Sequence, residues 1–196
     1  MMDLDFDRQI VLENKRVLLR PLVSADFDLL IDVATEDPDL NQFSPVRINS
    51  PELLRLYIDN SLLERANKTR YPFIIFDKKL NAYAGCTSFM NISNKDKRIE
   101  IGSTWIGNQF QKTGLNRNCK YLLMSYAFDE LVFERVELKT DERNIKSRTA
   151  IEKIGGRFEG ILRSHTVMSD GFRRNTVYYG ILRNEWEQIK GRLLRD

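Results

Sequence analysis

A mixed α/β sheet is the fold class this sequence predicts, and three observations predict it. Residues 71–106 hold three strand-like runs separated by short polar connectors, the pattern of an antiparallel meander. From Gly114 onward the chain reads helix, strand, helix, then two further strands, an alternation that places helices against a sheet. The 196 residues, 42% of them hydrophobic, supply one core, so a single domain over 1–196 is expected.

The elements follow in order. "RVLLRPL" (Arg16 to Leu22) reads as a strand, and residues 24–35 as a helix with Ser24 as its N-cap. The chain pauses at Asp37-Pro38. Ser50-Pro51 is a cap-then-proline start for a second helix, with Leu53, Leu54, Tyr57 and Leu62 at near-helical spacing. The meander strands are Tyr71 to Asp77, Ala82 to Ile92 and Arg98 to Ile106. A long helix then runs from Gly114 to Leu131, with Leu115, Cys119, Leu122, Leu123 and Tyr126 forming one apolar stripe. "RVELKT" is a strand, and "NIKSRTAIEKI" a helix ended by Gly155-Gly156. Residues 158–168 and 173–181 make a hairpin around Ser169-Asp170-Gly171, and a short helix closes the chain.

Composition excludes several classes. A mean hydropathy of -0.42 with 30% charged residues of both signs describes an ordinary globular surface. "MMDLDFDRQIVLENKR" lacks a basic region followed by an apolar run, so it does not read as a secretory signal, and no apolar run reaches membrane-spanning length. Cys86 and Cys119 lie far apart, outside any CxxC pair, and read as reduced thiols rather than a framework or a zinc site. The expected location is cytoplasmic. A net charge of +3 is too small for a nucleic-acid-binding face, but it leaves room for a local anion site.

One segment is a candidate for that site. A strand ends near Ile106, and a polar loop carrying Gly107 and Gly114 runs straight into the long helix. The first N–H groups of a helix have no internal partner and its dipole is positive at that end, so a phosphate satisfies both. Lys112, Arg117 and Lys120 stand where a free helix prefers acidic residues. They read either as a solvated basic face or as partners of a bound polyanion. Neither GxxxxGK[ST] nor GxGxxG is present.

What is present is Gln111-Lys112-Thr113-Gly114-Leu115-Asn116, which resembles the (Q/R)xxGx(G/A) pyrophosphate loop of the GNAT N-acetyltransferase superfamily, with Asn116 in place of a small residue. The strand, Asn144, helix and glycines of "RVELKTDERNIKSRTAIEKIGGRFEG" follow in the family's order. The "RLRPL"-like first strand, the "N..S" pair and a "GxxxEG" ending are similar to the RimJ/RimL-type ribosomal-protein acetyltransferase branch. The resemblance spans Arg16 to Trp186. It implies an acyl-CoA N-acyltransferase fold, a central twisted, mostly antiparallel sheet flanked by helices, whose strands "EIGSTWI" and "VELKT" splay apart around a pantetheine arm.

The resemblance also implies roles. Acetyl-CoA is the co-substrate, an amine the acceptor, and no metal is required. The backbone of Thr104, Trp105 and Ile106 would hold pantetheine, and Gln111, Lys112, Thr113, Gly114, Leu115 and Asn116 the pyrophosphate. Asn144 would touch coenzyme A, although it also reads as an N-cap. Ser147 matches a serine that protonates the leaving thiolate, or packs on a buried helix face; Ile151 stands where many relatives carry a tyrosine acid. Glu100 is a candidate general base, against a cross-strand ion pair. His165, the sole histidine, is the second candidate base or a rim residue. "DPDLNQFSPVRINSPELL" would wall the acceptor pocket with Phe43, and Glu36, Asp37 and Asp39 would attract a cationic amine such as a protein N-terminus. Tyr178 and Tyr179 on the hairpin suggest a homodimer. The alternative function is a catalytically silent CoA-binding sensor or scaffold.

Overall fold

The computed structural model describes residues 3–193; the expected domain bounds, residues 1 and 196, lie outside the described residues. A single eight-stranded sheet organises the chain: β1 (Leu12–Glu13), β2 (Val17–Pro21), β3 (Arg70–Asp77), β4 (Ala82–Ser93), β5 (Arg98–Ile106), β6 (Arg135–Asp141), β7 (Arg157–Val167) and β8 (Arg173–Leu182). Their spatial order is β1-β2-β3-β4-β5-β6-β8-β7, and every neighbouring pair is antiparallel except β5 with β6. The helices are α1 (Phe27–Thr35), α2 (Pro51–Ala66), α3 (Leu115–Ser125), α4 (Ile145–Lys153) and α5 (Arg183–Leu193). Among the described residues no helix is long and apolar enough to cross a membrane.

The side-chain period of two sorts the sheet into two faces. Phe73, Ile75, Phe89, Ile99 and Ile101 point to one core with Leu115, Cys119 and Leu123 of α3. Ile74, Cys86 and Trp105 point to the other with Leu30 of α1 and Leu54, Tyr57 and Ile58 of α2. On the first face α3 runs into a π turn (Tyr126–Glu130), where Asp129 accepts a 2.8 Å hydrogen bond from Trp186 Nε1 of α5.

Local signals set several boundaries. Ser50 Oγ accepts from Leu53 N–H, and Pro51 opens α2 where its missing donor costs nothing. Gly155, at φ +99°, ends α4 in the left-handed region. Gly171, at φ +82°, makes the β7–β8 turn.

Three expectations are corrected. Ser24 does not cap α1: a 3₁₀ turn (Ser24–Asp26) precedes it, and buried Asp26 reaches back to Val23 N–H while pairing with Arg20 at 2.6 Å. Leu53 is exposed and Leu62 half-buried, because the face of α2 that packs is Leu54, Tyr57, Ile58 and Ser61. Tyr179 is fully buried and cannot serve a homodimer surface; Tyr178 is half-buried, and Phe158 and Phe172 are the exposed aromatics of this hairpin.

Candidate active site

β5 and β6 are partners only where Arg98, Ile99 and Glu100 meet Arg135, Val136 and Glu137. Beyond that register β5 pairs with β4 alone and β6 with β8 alone, so the two parallel strands part and leave a wedge at their C-terminal ends. Each strand there leads to the start of a helix, α3 or α4, and the carboxyl ends of diverging parallel strands are the standard place for a ligand.

β5 also carries a bulge at the wedge. Gly102 faces Ser88 and Trp105 faces Cys86, so Ser103 and Thr104 together oppose the single residue Thr87. Ser103 sits at φ +47°, which a serine adopts only when its surroundings insist. Further along β4, Gly85, at φ +144° and paired with Ile106, is needed for contact, since a Cβ there would lie 2.1 Å from Trp105 O. Trp105 packs edge-on against Tyr57, and Thr104 stays half-buried.

The loop from Gly107 to Gly114 is pinned at its base. Glu36 Oε1 accepts from Asn108 N–H and Asp37 Oδ2 from Asn108 Nδ2, both at 2.7 Å, which holds the Asp37 carboxyl below its ordinary range. These acids therefore brace the loop; they do not stand free for an acceptor amine. Glu36 and Asp39 are exposed and Asp37 is half-buried; Asp39 lies 4.0 Å from Arg47. Phe110 buries its ring in the core, and Thr113 Oγ1 donates to Phe110 O at 2.7 Å. Gln111 Nε2 donates to Ile106 O at 2.9 Å, and Lys146 of α4 bonds Gln111 Oε1, tying the two helix starts together.

Gly114 is the N-cap of α3 at φ +85°, with no side-chain cap, no acidic residue in the first turn and open space around the position of a Cβ. Lys112 also has positive φ and is exposed; Leu115 is fully buried as the helix anchor. Asn116 Oδ1 is buried without a partner among the described residues. An uncapped helix end, backbone amides and flanking cations fit a pyrophosphate.

Lys120 does not stand with exposed Lys112 and half-buried Arg117. It is buried on the sheet side of α3, donates to Thr104 Oγ1 at 2.7 Å, and burial pushes its ammonium down to about 8. The available signal was its place next to Cys119 on the apolar stripe.

Asn144 is the N-cap of α4, its Oδ1 accepting from Ser147 N–H at 3.0 Å. Ser147 is half-buried, and its hydroxyl has no hydrogen-bond partner among the described residues. Ile151 is core. Glu100 is buried on the α2 face, where its carboxylate meets Asn91 Nδ2 at 2.6 Å and Lys139 Nζ at 2.9 Å, an ion pair across β5 and β6. The same carboxylate lies over Gly102, where a Cβ would come 2.7 Å from Oε1, so it leans toward the bulge. His165 is exposed on β7, with its ring 5.8 Å from that of Tyr178, and Lys139 Nζ lies 6.0 Å from the same Tyr178 ring. Glu100, His165 and Ser147 thus share no hydrogen bond or ion pair among the described residues; Lys139, unnoticed in the sequence, and Tyr178, read there as a dimer residue, link the first two. Both cysteines are buried, and burial pushes their thiols up to about 12, away from the thiolate form.

Residues 16–157 match the family described as Acetyltransferase (GNAT) domain. The chain is 31% identical over 140 residues to "Putative ribosomal N-acetyltransferase YdaF" of Bacillus subtilis (strain 168), covering 71% of this chain and 70% of that one. A crystal structure of a GCN5-related N-acetyltransferase from Brucella melitensis superposes with a TM-score of 0.88 at 26% identity, over 95% of this chain and 85% of that chain. Mycobacterium smegmatis RimJ, in complex with CoA-disulfide, shares the fold with a TM-score of 0.78 at 19% identity, over 91% of this chain and 88% of that chain.

Proposed function

The chain belongs to the GNAT acetyltransferase family, and we propose that it moves an acetyl group from acetyl-CoA to a primary amine, a protein N-terminus or a small-molecule amine. The observation that carries this is the wedge between β5 and β6 closed at one end by the uncapped, left-handed start of α3 at Gly114. Acetyl-CoA supplies an activated thioester.

The protein's part is binding and proton management. Amides of residues 112–116 and the nearby cations take the pyrophosphate, and the backbone of Thr104, Trp105 and Ile106 lines the pantetheine. The acceptor nitrogen attacks the thioester carbonyl, forming C–N and breaking C–S; the nitrogen loses one proton and the departing sulfur gains one. Glu100 is the proposed base, supported by its lean toward the bulge, and His165 is a rim residue that meets the acceptor. Ser147 is the proposed acid, supported by its unengaged hydroxyl at the wedge mouth. A protein acceptor is supported by the resemblance to the ribosomal enzyme of B. subtilis.

Isothermal titration is the test. The native chain should bind CoA, and Gly114→Trp, which forces a side chain into open space above the helix start and strains φ +85°, should abolish it. Absence of CoA binding by the native chain would falsify the assignment.

A further inference from the structure

Two buried cations reach the β5 bulge from opposite faces of the sheet. On the α2 face Arg70, only 6% exposed, donates from Nη2 to Ser103 Oγ and to the Tyr57 hydroxyl, each at 2.8 Å. Its Nε donates to Ser88 Oγ at 2.8 Å and its Nη1 to Glu64 Oε2 at 3.1 Å, so the guanidinium fastens α2 and β4 to the bulge. On the α3 face Lys120, 5% exposed, donates from Nζ to Thr104 Oγ1 at 2.7 Å, and that oxygen lies 2.8 Å from Thr87 Oγ1, the residue the bulge straddles.

The two cations differ in one respect. Arg70 has a carboxylate beside it, whereas no carboxylate lies within ion-pair distance of Lys120 among the described residues. A buried ammonium held by one hydroxyl is a net cost to folding that an apolar side chain of the same length would remove. Where a sequence keeps such a group beside a cleft, the compensating gain is sought in function. Here the hydroxyl it holds is that of Thr104, whose backbone opens the stretch set against the wedge.

We propose that Arg70 and Lys120 clamp the Ser103–Thr104 bulge as positioning residues for acetyl transfer, Arg70 acting through Ser103 and Lys120 through Thr104. The clamp fixes the backbone of Thr104–Ile106 before the thioester arrives, so that its donors need no reorganisation during the reaction. This inference rests on the proposed placement of acetyl-CoA in the wedge.

The experiment uses the full chain with acetyl-CoA and a mixed panel of peptide N-termini and polyamines, read as released CoA thiol, beside CoA titration and thermal melting. For Lys120→Met, kcat should fall roughly 10- to 100-fold, as a small misplacement of reacting groups does, while CoA affinity holds and Tm is unchanged or higher. Thr104→Val should show the same fall and Thr104→Ser should recover most of it. The double variant Lys120→Met/Thr104→Val should lose no more than either single one, because both cut one link. Native kcat in Lys120→Met, losses that multiply in the double variant, or a kcat that drops only alongside Tm each overturn the clamp. A native chain that binds no CoA overturns the functional reading as well, and the titration tells that failure apart from a fault in the clamp alone.

Discussion

Lys120 lives in surroundings that oppose its charge, and that opposition is measurable. Desolvation lowers its value from 10.5 to about 8, with nearby Cys119 and Glu100 pulling weakly the other way. Because the folded value lies below the unfolded one, the unfolded chain binds more protons between those two pH values. The destabilisation is therefore fully present below pH 8 and is relieved as pH rises through the window. Lys120→Met should be the more stable protein at pH 7, and its lead in Tm should shrink toward pH 10; a gap that stays constant with pH would contradict a buried, charged Lys120. Glu100 shows the other side of burial. Its carboxylate is compensated by Lys139 and Asn91, so a base at this position must release an ion pair before it can accept a proton.

Among the elements, the loop from Gly107 to Gly114 depends on α1 for its shape. Glu36, at the C-terminal end of α1, holds Asn108 N–H, and a Cβ on Gly107 would lie 2.5 Å from Val33 Cγ1, so loop and helix are in close contact. Glu36→Ala should loosen the loop while leaving both cores intact. The Michaelis constant for acetyl-CoA should then rise about 3- to 10-fold, on the scale of one ordinary solvent-exposed hydrogen bond, with Tm within a few degrees of native. An unchanged constant would show that the pyrophosphate loop holds its form without α1. The start of α4 was legible from residues 144–147 alone, since the Asn144 cap is a contact over three positions. The bracing of Asn108 by Glu36 joins residues 72 apart, and nothing near either position signals it.

At the scale of the whole molecule, β4 and β5 contribute to both cores, and Gly85 is a point where β5 leaves no room for a side chain. Gly85→Ala would push a methyl to 2.1 Å from Trp105 O, so the strands must separate. Overpacking of this kind costs about 1–3 kcal/mol or more, and the separation falls on the bulge beside the wedge. Gly85→Ala should lower Tm and the kcat of acetyl transfer together; a loss of stability with native kcat would mean that the bulge does not shape the site. The sheet also explains why Tyr179 is not free to join two copies: it is consumed by the α3-side core, and its hydroxyl is hydrogen-bonded at 3.1 Å to Glu152.

The sequence by itself determined the order of strands and helices from β2 onward, the capped start of α2, the Asn144 cap and the glycine that opens α3 at Gly114, because each is written in residues a few positions apart; the two-residue β1 carried no such signal. It also carried the motif from which the acetyltransferase family could be read. Only the tertiary structure decided where β5 and β6 part, which cations are buried, that Glu36 and Asp37 brace a loop, and that Arg70 and Lys120 converge on one bulge. Those outcomes depend on desolvation and on contacts between distant segments, which no short-range pattern contains.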